Sequence, residues 1–399
     1  MSLPATPSRI MRIIARLNVG GPAIHVTSLN RLMNSGLYRS VLVTGTEGKH
    51  EGSMRDLAQG CGMRTIVVPK LGREIDPVND FSTVLELYRL MRKERPHIVH
   101  THTAKAGFAG RLAARLAGVP VIFHTFHGHV LKGYFGPLKS RLFLELERFC
   151  AGLSDRILTL STHLREELVD LGVANRDRIA VVPLGLDLCD FTNHAPRPGD
   201  FRKECGIAAE DRLIAMVGRL VRIKNIPLFL DAAARVHRID PRVRFAVVGD
   251  GEERKAVEAH ARSLGLGGIV HFTGWRRDLP KIYADLDAVV ISSDNEGTPV
   301  SLIEAMASGC PVVATRVGGV PDLLEDGRLG QIVPPRDPAG LADAILNTVR
   351  PRNGITAMTK VAKEKVLEKY SLGRLTDDMN QLYREVLSRK GLIVGDTRG

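Results

Sequence analysis

No eighteen consecutive residues of this chain are apolar, which excludes an ordinary membrane-spanning helix. Residues 1–8 lack the charged-then-apolar layout of a secretory leader, so the expected location is the cytoplasm. Cysteine is sparse: Cys61, Cys150, Cys189, Cys205 and Cys310 lie scattered, with no CxxC pair. An odd, dispersed set reads as reduced thiols and not as a disulfide framework. Aromatic residues make up 5% and no RNA-binding motif occurs, so stacking platforms for nucleic acid are scarce. A full GxGxxG with a later acidic residue is also missing, which argues against a dehydrogenase layout. No short-period repeat or low-complexity tract is visible.

What is present is an ordinary globular composition, 44% hydrophobic and 25% charged, over 399 residues. That length calls for more than one core. Short β-branched runs alternate with helix-period segments, the mark of parallel α/β sheets. Strands are expected at 11–17, 40–44, 65–68, 98–101, 119–124, 156–160 and 179–182, then at 212–217, 244–248, 269–272, 288–292, 312–315 and 330–333. Between the two series, 184–202 is rich in Pro, Gly, Asp and Asn and shows no sustained period, as a linker does. The expected division is a doubly wound, Rossmann-like domain over 1–186, a hinge over 187–202, a second such domain over 203–370, and a helix with a tail over 371–399. Residues 1–186 hold 25 Lys and Arg against 15 Asp and Glu, whereas 187–399 hold 31 against 29. The basic first half suggests an anionic partner, membrane headgroups or a phosphorylated substrate; general solubility is the plainer reading.

The chemistry-bearing segments follow strands. Residues 292–309, SSDNEGTPVSLIEAMASG, pass from a strand through a loop into a helix. Thr298 fits an N-cap and Pro299 the first helical position. Unpaired backbone N–H groups around 298–301, in the setting of Gly297, Thr298, Pro299 and Val300, then form an anion site. Glu296 precedes that helix and Glu304 lies within it. Either glutamate alone reads as a solvated acid. Residues 216–225, MVGRLVRIKN, carry Arg219 and Lys224 in a loop that opens a helix, where two cations can neutralise a diphosphate. Arg222 lies between them and competes for the role. Gly20 and Gly21 let backbone approach a ligand closely after the first strand, although a lone Gly-Gly is more often a turn.

Six histidines, His97, His100, His102, His124, His127 and His129, fall around two successive strands. HTH and HGH are not usual zinc spacings and no cysteine or acid completes a set, so no metal is expected. One functional histidine among structural ones is preferred, with His124 ending a strand and His100, His102 and Lys105 on the acceptor side. Asp285-Leu286-Asp287 imitates a metal-holding Asp-x-Asp but sits where a helix meets a strand, and reads as turn chemistry. In 132–150, Lys132, Lys139 and Arg141 lie beside Tyr134, Phe135, Leu138 and Phe143. That mixture suits either an anionic membrane surface or an amphipathic helix on a sheet.

Taken with its surroundings, the Glu296–Glu304 pair resembles the signature of the retaining glycosyltransferases of family 4. Gly297, Pro299, Ala305, Gly309 and Pro311 match as well, and the resemblance spans roughly residues 9–387. It implies the GT-B fold, with two Rossmann-like domains facing across a cleft. It also implies a nucleotide-sugar donor, most often UDP-linked, and transfer with retention in the manner of bacterial surface polysaccharide synthesis. On this resemblance Arg219 and Lys224 bind the donor phosphates, Glu296 the transferred sugar and Glu304 the ribose. Gly20 and Gly21 approach the donor, and His127 lies near the transferred sugar. The expected partners are that donor and a saccharide or lipid-linked acceptor at the inner membrane face; no cofactor, metal or nucleic acid is expected. The last helix is expected to return to the first domain. No nucleophile with a paired base stands out, which favours same-face transfer over double displacement. The rival is a non-catalytic α/β protein whose basic half docks on anionic membrane or nucleic acid.

Overall fold

The computed structural model describes residues 7–18, 20–48, 52–60, 63–72, 76–128, 136–192, 199–350 and 353–392. His129, Lys132, Tyr134, Phe135 and linker residues 193–198 lie outside the described residues. Seven strands form the first sheet: β1 (Ser8–Ile14), β2 (Tyr38–Thr44), β3 (Thr65–Val67), β4 (Ile98–His102), β5 (Val121–Phe126), β6 (Arg156–Thr159) and β7 (Ile179–Val181). Six form the second: β8 (Arg212–Val217), β9 (Val243–Val248), β10 (Val270–Gly274), β11 (Ala288–Ile291), β12 (Val312–Thr315) and β13 (Gln331–Val333). Neighbouring strands pair in parallel, for example Ile10 with Ile98 and Val289 with Val312.

A parallel sheet is covered by crossover helices on both faces, so its strands read as unbroken apolar runs. AVVI of β11 and RLIAMV of β8 show this, with all but Arg212 buried. The expected strands all meet strands of the structure, and the α/β, Rossmann-like class stands. The largest offset is at β1, which begins at Ser8 because the charged Arg9 belongs to it; Arg12 lies within it, fully buried.

The strand orders are β3-β2-β1-β4-β5-β6-β7 and β10-β9-β8-β11-β12-β13. Each reverses direction once, between β1 and β4 and between β8 and β11. At such switch points neighbouring loops diverge and leave a crevice at the carboxyl edge. The loop-and-helix segments that leave β8 and β11 carry Arg219, Lys224, Glu296 and Glu304; those that leave β1 and β4 carry Gly20, Gly21 and Thr103.

The chain divides into two compact units, the described residues of Met1–Leu186 with Leu372–Gly399, and those of Asp187–Ser371. The last helix, Leu372–Arg389, therefore belongs to the first unit. Its Leu375, Met379, Tyr383, Val386 and Leu387 are buried at helical spacing against Leu29, Tyr38, Phe123 and Leu158. Among the described residues no helix is long and apolar enough to cross a membrane.

Tyr383 also completes a buried polar network. Arg12 Nη1 donates to the Tyr383 hydroxyl at 3.0 Å, and that hydroxyl lies 2.6 Å from His100 Nδ1. Since Arg12 can only donate, at 3.1 Å from the same nitrogen, Nδ1 is an acceptor. His100 therefore carries its proton on Nε2 and donates to Thr125 Oγ1 at 2.7 Å. Tyr383→Phe removes the shared hydroxyl and leaves two buried polar groups short of a partner. The expected loss is about 1–3 kcal/mol, read by chemical denaturation; a loss below about 0.5 kcal/mol contradicts the network.

Candidate functional site

In the second unit the loops after β8 and β11 interlock. Asp294 N donates to Ile223 O at 2.9 Å, Ser292 Oγ to Asn225 O at 2.9 Å, and Asn225 Nδ2 to Asp294 Oδ1 at 3.1 Å. Asn225 adopts a left-handed conformation, φ 45°, and caps the helix Ile226–Ile239 by accepting from Leu228 N, a backbone that Asn tolerates better than most residues. This turn aims Lys224 back at the β11 loop. Its Nζ lies 2.5 Å from Glu296 Oε1, which also accepts from Ser293 Oγ at 2.6 Å. Two residues 72 apart in sequence, expected to contact different parts of a ligand, thus contact each other.

Arg219 is half-buried nearby in sequence and has no ion-pair partner among the described residues. Arg222, its competitor, is exposed. The helix Val300–Ala307 begins one residue later than expected: Pro299, not Thr298, is its N-cap, and no side chain caps it. Proline cannot donate a backbone N–H and its side chain cannot accept one. The opening amides of Val300 and Ser301 therefore remain unpaired, as the first amides of any uncapped helix do. Thr298 is displaced into the loop, where its Oγ1 is buried without a partner. Gly297 and Thr298 are both half-buried in that loop.

Two glycines that the sequence reading passed over fix the loop geometry. A Cβ on Gly318, φ 49°, would stand 1.8 Å from the Glu296 carbonyl oxygen, and one on Gly249, φ 140°, would stand 1.9 Å from Gly218 O. Neither backbone tolerates a side chain. Gly319 N donates to Glu296 O at 3.0 Å, so the β12 loop holds the glutamate from behind.

Glu304 is only 9% exposed. Its Oε2 accepts from the Tyr283 hydroxyl at 2.9 Å. Burial raises its pKa to about 7, against a smaller lowering by that hydrogen bond. Glu304 is therefore a poised acid on a helix whose other neighbours are apolar, and not a solvated one. The Asp-x-Asp imitation is structural, and more than a turn. Asp285 accepts from Gly199 N, Phe201 N and Arg202 N, capping the helix Asp200–Glu204. Asp287 pairs with Arg202 at 2.5 Å and Arg212 at 3.1 Å.

In the first unit the histidines divide sharply. His97 lies at the start of β4, where its Nδ1 accepts from Arg9 N. His100 is locked in the Arg12–Tyr383 network and does not line a surface. His124 sits inside β5, buried, bonded to Thr101 Oγ1 at 2.8 Å. Lys105 pairs with Asp80 at 2.8 Å. His102 and His127 do meet, Nδ1 to Nε2 at 3.1 Å. A residue not singled out from sequence joins them: His25, one turn into the helix Gly21–Leu32, with its ring 5.3 Å from that of His127 and 6.1 Å from that of His102. Its signal was its place, four residues beyond Gly21.

Burial lowers the His127 pKa to about 4, and burial with neighbouring cationic forms holds His25 and His102 well below their ordinary value. The trio is neutral at physiological pH. Gly20 is the N-cap before that helix, and a Cβ there would meet only Pro22, at 3.8 Å. Gly21 opens the helix and is half-buried. Thr103, just past β4, holds φ 68° with its hydroxyl buried and unpartnered. Such strain in a β-branched residue recurs at functional sites. Among the described residues no group of three His, Cys, Asp or Glu is arranged to hold a metal ion.

Comparison with known proteins adds the chemical context. Residues 20–185 match the family model described as glycosyl transferase 4-like domain, and residues 211–350 match glycosyl transferases group 1. An Escherichia coli protein named UDP-Gal:alpha-D-GlcNAc-diphosphoundecaprenol alpha-1,3-galactosyltransferase is 29% identical over 346 residues, covering 86% of this chain and 89% of its own. D-inositol 3-phosphate glycosyltransferase of Frankia alni is 31% identical, covering 84% and 86%. Among solved structures, Anabaena HepE in complex with UDP and glucose superposes with a TM-score of 0.80 at 20% identity, covering 94% of this chain and 98% of that one. Sucrose-phosphate synthase of Thermosynechococcus elongatus gives a TM-score of 0.80 at 22% identity, covering 96% and 100%. These likenesses place both sheets in the GT-B class.

The buried Glu304 makes a signed prediction. Between its unfolded value of 4.5 and its native value of about 7, the folded protein keeps a proton that the unfolded chain has released. Stability therefore falls as pH rises through that window, by up to about 3 kcal/mol. Glu304→Gln has no charge to bury. It should match the parent near pH 4 and be more stable than it near pH 8 in denaturant titrations; a difference that does not change with pH refutes the assignment.

Proposed function

The chain belongs to the group 1 glycosyl transferases and acts on nucleotide sugars, and we propose that it transfers the sugar of a UDP-sugar, with retention, to a lipid-linked saccharide. The observation that carries this reading is the β8–β11 switch point. There an ion-paired Lys224, an unpaired Arg219 and two free helix amides lie on loops that flank one crevice. Cations and unpaired amides are what a diphosphate needs.

In this reading Lys224 keeps one N–H on Glu296 and offers its remaining donors to the β-phosphate. Arg219 takes the same group with its planar fork. As the bond to the anomeric carbon breaks, its electron pair leaves with the nucleoside diphosphate, and the two cations with the Val300 and Ser301 amides stabilise that charge. The acceptor hydroxyl attacks from the same face and passes its proton to a departing phosphate oxygen, so no enzyme nucleophile is required. Glu296, Gly297, Thr298 and Pro299 border the transferred sugar, and Glu304 accepts from the ribose hydroxyls. Two cations make a divalent ion dispensable. His127, being neutral, acts through hydrogen bonding and not through charge, with Gly20 and Gly21 allowing close backbone approach in its own unit. The galactosyltransferase relative, whose named substrate is diphosphoundecaprenol-linked, supports a lipid-linked acceptor; with such an acceptor the reading adds a role in surface polysaccharide synthesis and peripheral contact with the inner membrane face.

Calorimetry with UDP and GDP tests the donor half. UDP should bind more tightly than GDP, and its affinity should rise with pH through about 7 as Glu304 ionises. Glu304→Ala should weaken it by one to two orders of magnitude, and Arg219→Ala should lower kcat/KM by roughly 10²–10³-fold. Activity should survive chelation by EDTA, and NMR of the product should show the donor's anomeric configuration. Absence of UDP binding, or binding indifferent to Glu304→Ala, overturns the proposal.

A further inference from the structure

Of twelve large apolar side chains exposed among the described residues, nine lie in the first unit, so the exposure is concentrated there. Seven of the nine sit on two helices. Val78, Phe81 and Leu85 follow one another at i, i+3 and i+7 on Pro77–Glu94; Leu138, Leu142, Leu146 and Phe149 do so at i, i+4, i+8 and i+11 on Pro137–Leu153. Each set is a single stripe. Both helices pack against Ala104–Ala117, so they cover the same side of the sheet. Inward residues fix the second stripe outward: Glu147 pairs with the buried Arg111 at 2.7 Å, and Cys150 and Ala151 are buried. Phe143, which the sequence left open between a lipid surface and a helix packed on the sheet, is half-buried against the core cluster that includes Phe126.

Exposure peaks at the first turns. Val78 is 79% exposed, Phe81 73% and Leu138 85%, whereas Leu85 and Leu146 fall to 37% and 36%. Crossover helices start at the carboxyl edge of a parallel sheet, so the most exposed turns lie at the edge that carries His102 and Thr103. The exposed charge on these three helices is mostly basic, seven Lys and Arg against two Glu, with Lys139 and Arg141 beside the first turn of Pro137–Leu153 and Arg92 and Lys93 in the last turn of Pro77–Glu94. Lys139 and Arg141 have no ion-pair partner among the described residues.

We propose that the stripes of Pro77–Glu94 and Pro137–Leu153 form one docking face for an anionic lipid bilayer, with the first turns set among the headgroups. The proposal rests on the reading of the acceptor as lipid-linked and supplies its geometry. A bilayer accepts exposed apolar side chains on a face of net positive charge, with Lys139 and Arg141 beside Leu138 and Leu142, because both terms act together. A second copy of the chain does not fit as well, since a two-fold contact of this face with itself sets cations against cations.

The test is flotation of the full chain with vesicles of phosphatidylcholine alone and of phosphatidylcholine mixed with phosphatidylglycerol. Binding should favour the anionic vesicles by on the order of tenfold or more and weaken as salt is raised. Val78→Ser/Phe81→Ser and Leu138→Ser/Leu142→Ser should each lower partition about tenfold, and Lys139→Glu/Arg141→Glu should abolish the anionic preference. The altered positions are exposed, so UDP affinity should be unchanged in all three variants. Variants that float like the parent overturn the docking face. So does a parent that sediments as a dimer while the serine variants sediment as monomers. UDP binding with no vesicle binding removes only the docking face, whereas vesicle binding with no UDP binding removes only the donor assignment.

Discussion

Each sheet is parallel and must be buried on both faces, and the positions of the chemical groups follow from that constraint. A strand covered on both sides favours apolar side chains, and polar ones within it, such as Arg12, His100 and His124, are bonded to one another or to neighbouring hydroxyls, so the groups left for a ligand collect where strands end. Parallel pairing sends all those ends to one edge, and the single reversal of strand order opens one gap there. Arg219 and Lys224 leave β8, Glu296 and Glu304 follow β11, and those are the two strands beside the gap. His102 and Gly20 stand in the same relation to β4 and β1. One packing rule applied twice thus produces two sets of convergent residues.

Within the second unit, electrostatics do what side-chain crowding does elsewhere. Lys224 and Glu296 hold each other in place, so the cation is already oriented without a ligand. The cost is that Glu296 must share its partner. Glu304 is handled in the opposite way: it has no cation, only Tyr283, and burial leaves it half-protonated near neutrality. Two glutamates eight positions apart therefore differ in kind. One is anchored by a lysine, the other is buried beside a single hydroxyl.

Much of this was legible in the sequence, because fully buried strands betray themselves by continuous apolar runs and glutamates at a strand–loop–helix junction are uncommon. What escaped shares one cause, separation along the chain. Arg12 reads as a lone charge within a strand, and nothing nearby says that Tyr383 and His100 will accept from its Nη1. Lys224 and Glu296 each look available for a ligand until the fold pairs them. His25 was passed over because a single histidine in a helix carries no local pattern. Thr298 misled for a different reason. A threonine before a proline is a good cap by composition, but the backbone turns one residue later and leaves the hydroxyl unpaired.

Gly318 and Gly249 limit how this protein can be altered. Each is a point where two loop backbones touch with no space for a methyl group, so drift in one loop is forbidden unless the other moves with it. Anyone diversifying the loops of the second unit has, in effect, a mould with fixed seams. Positions 249 and 318 have to be inherited unchanged, and Arg219 and Glu296 with them wherever the proposed donor contacts are to be kept. Libraries that randomise across those seams would lose their members to misfolding before selectivity could be sampled.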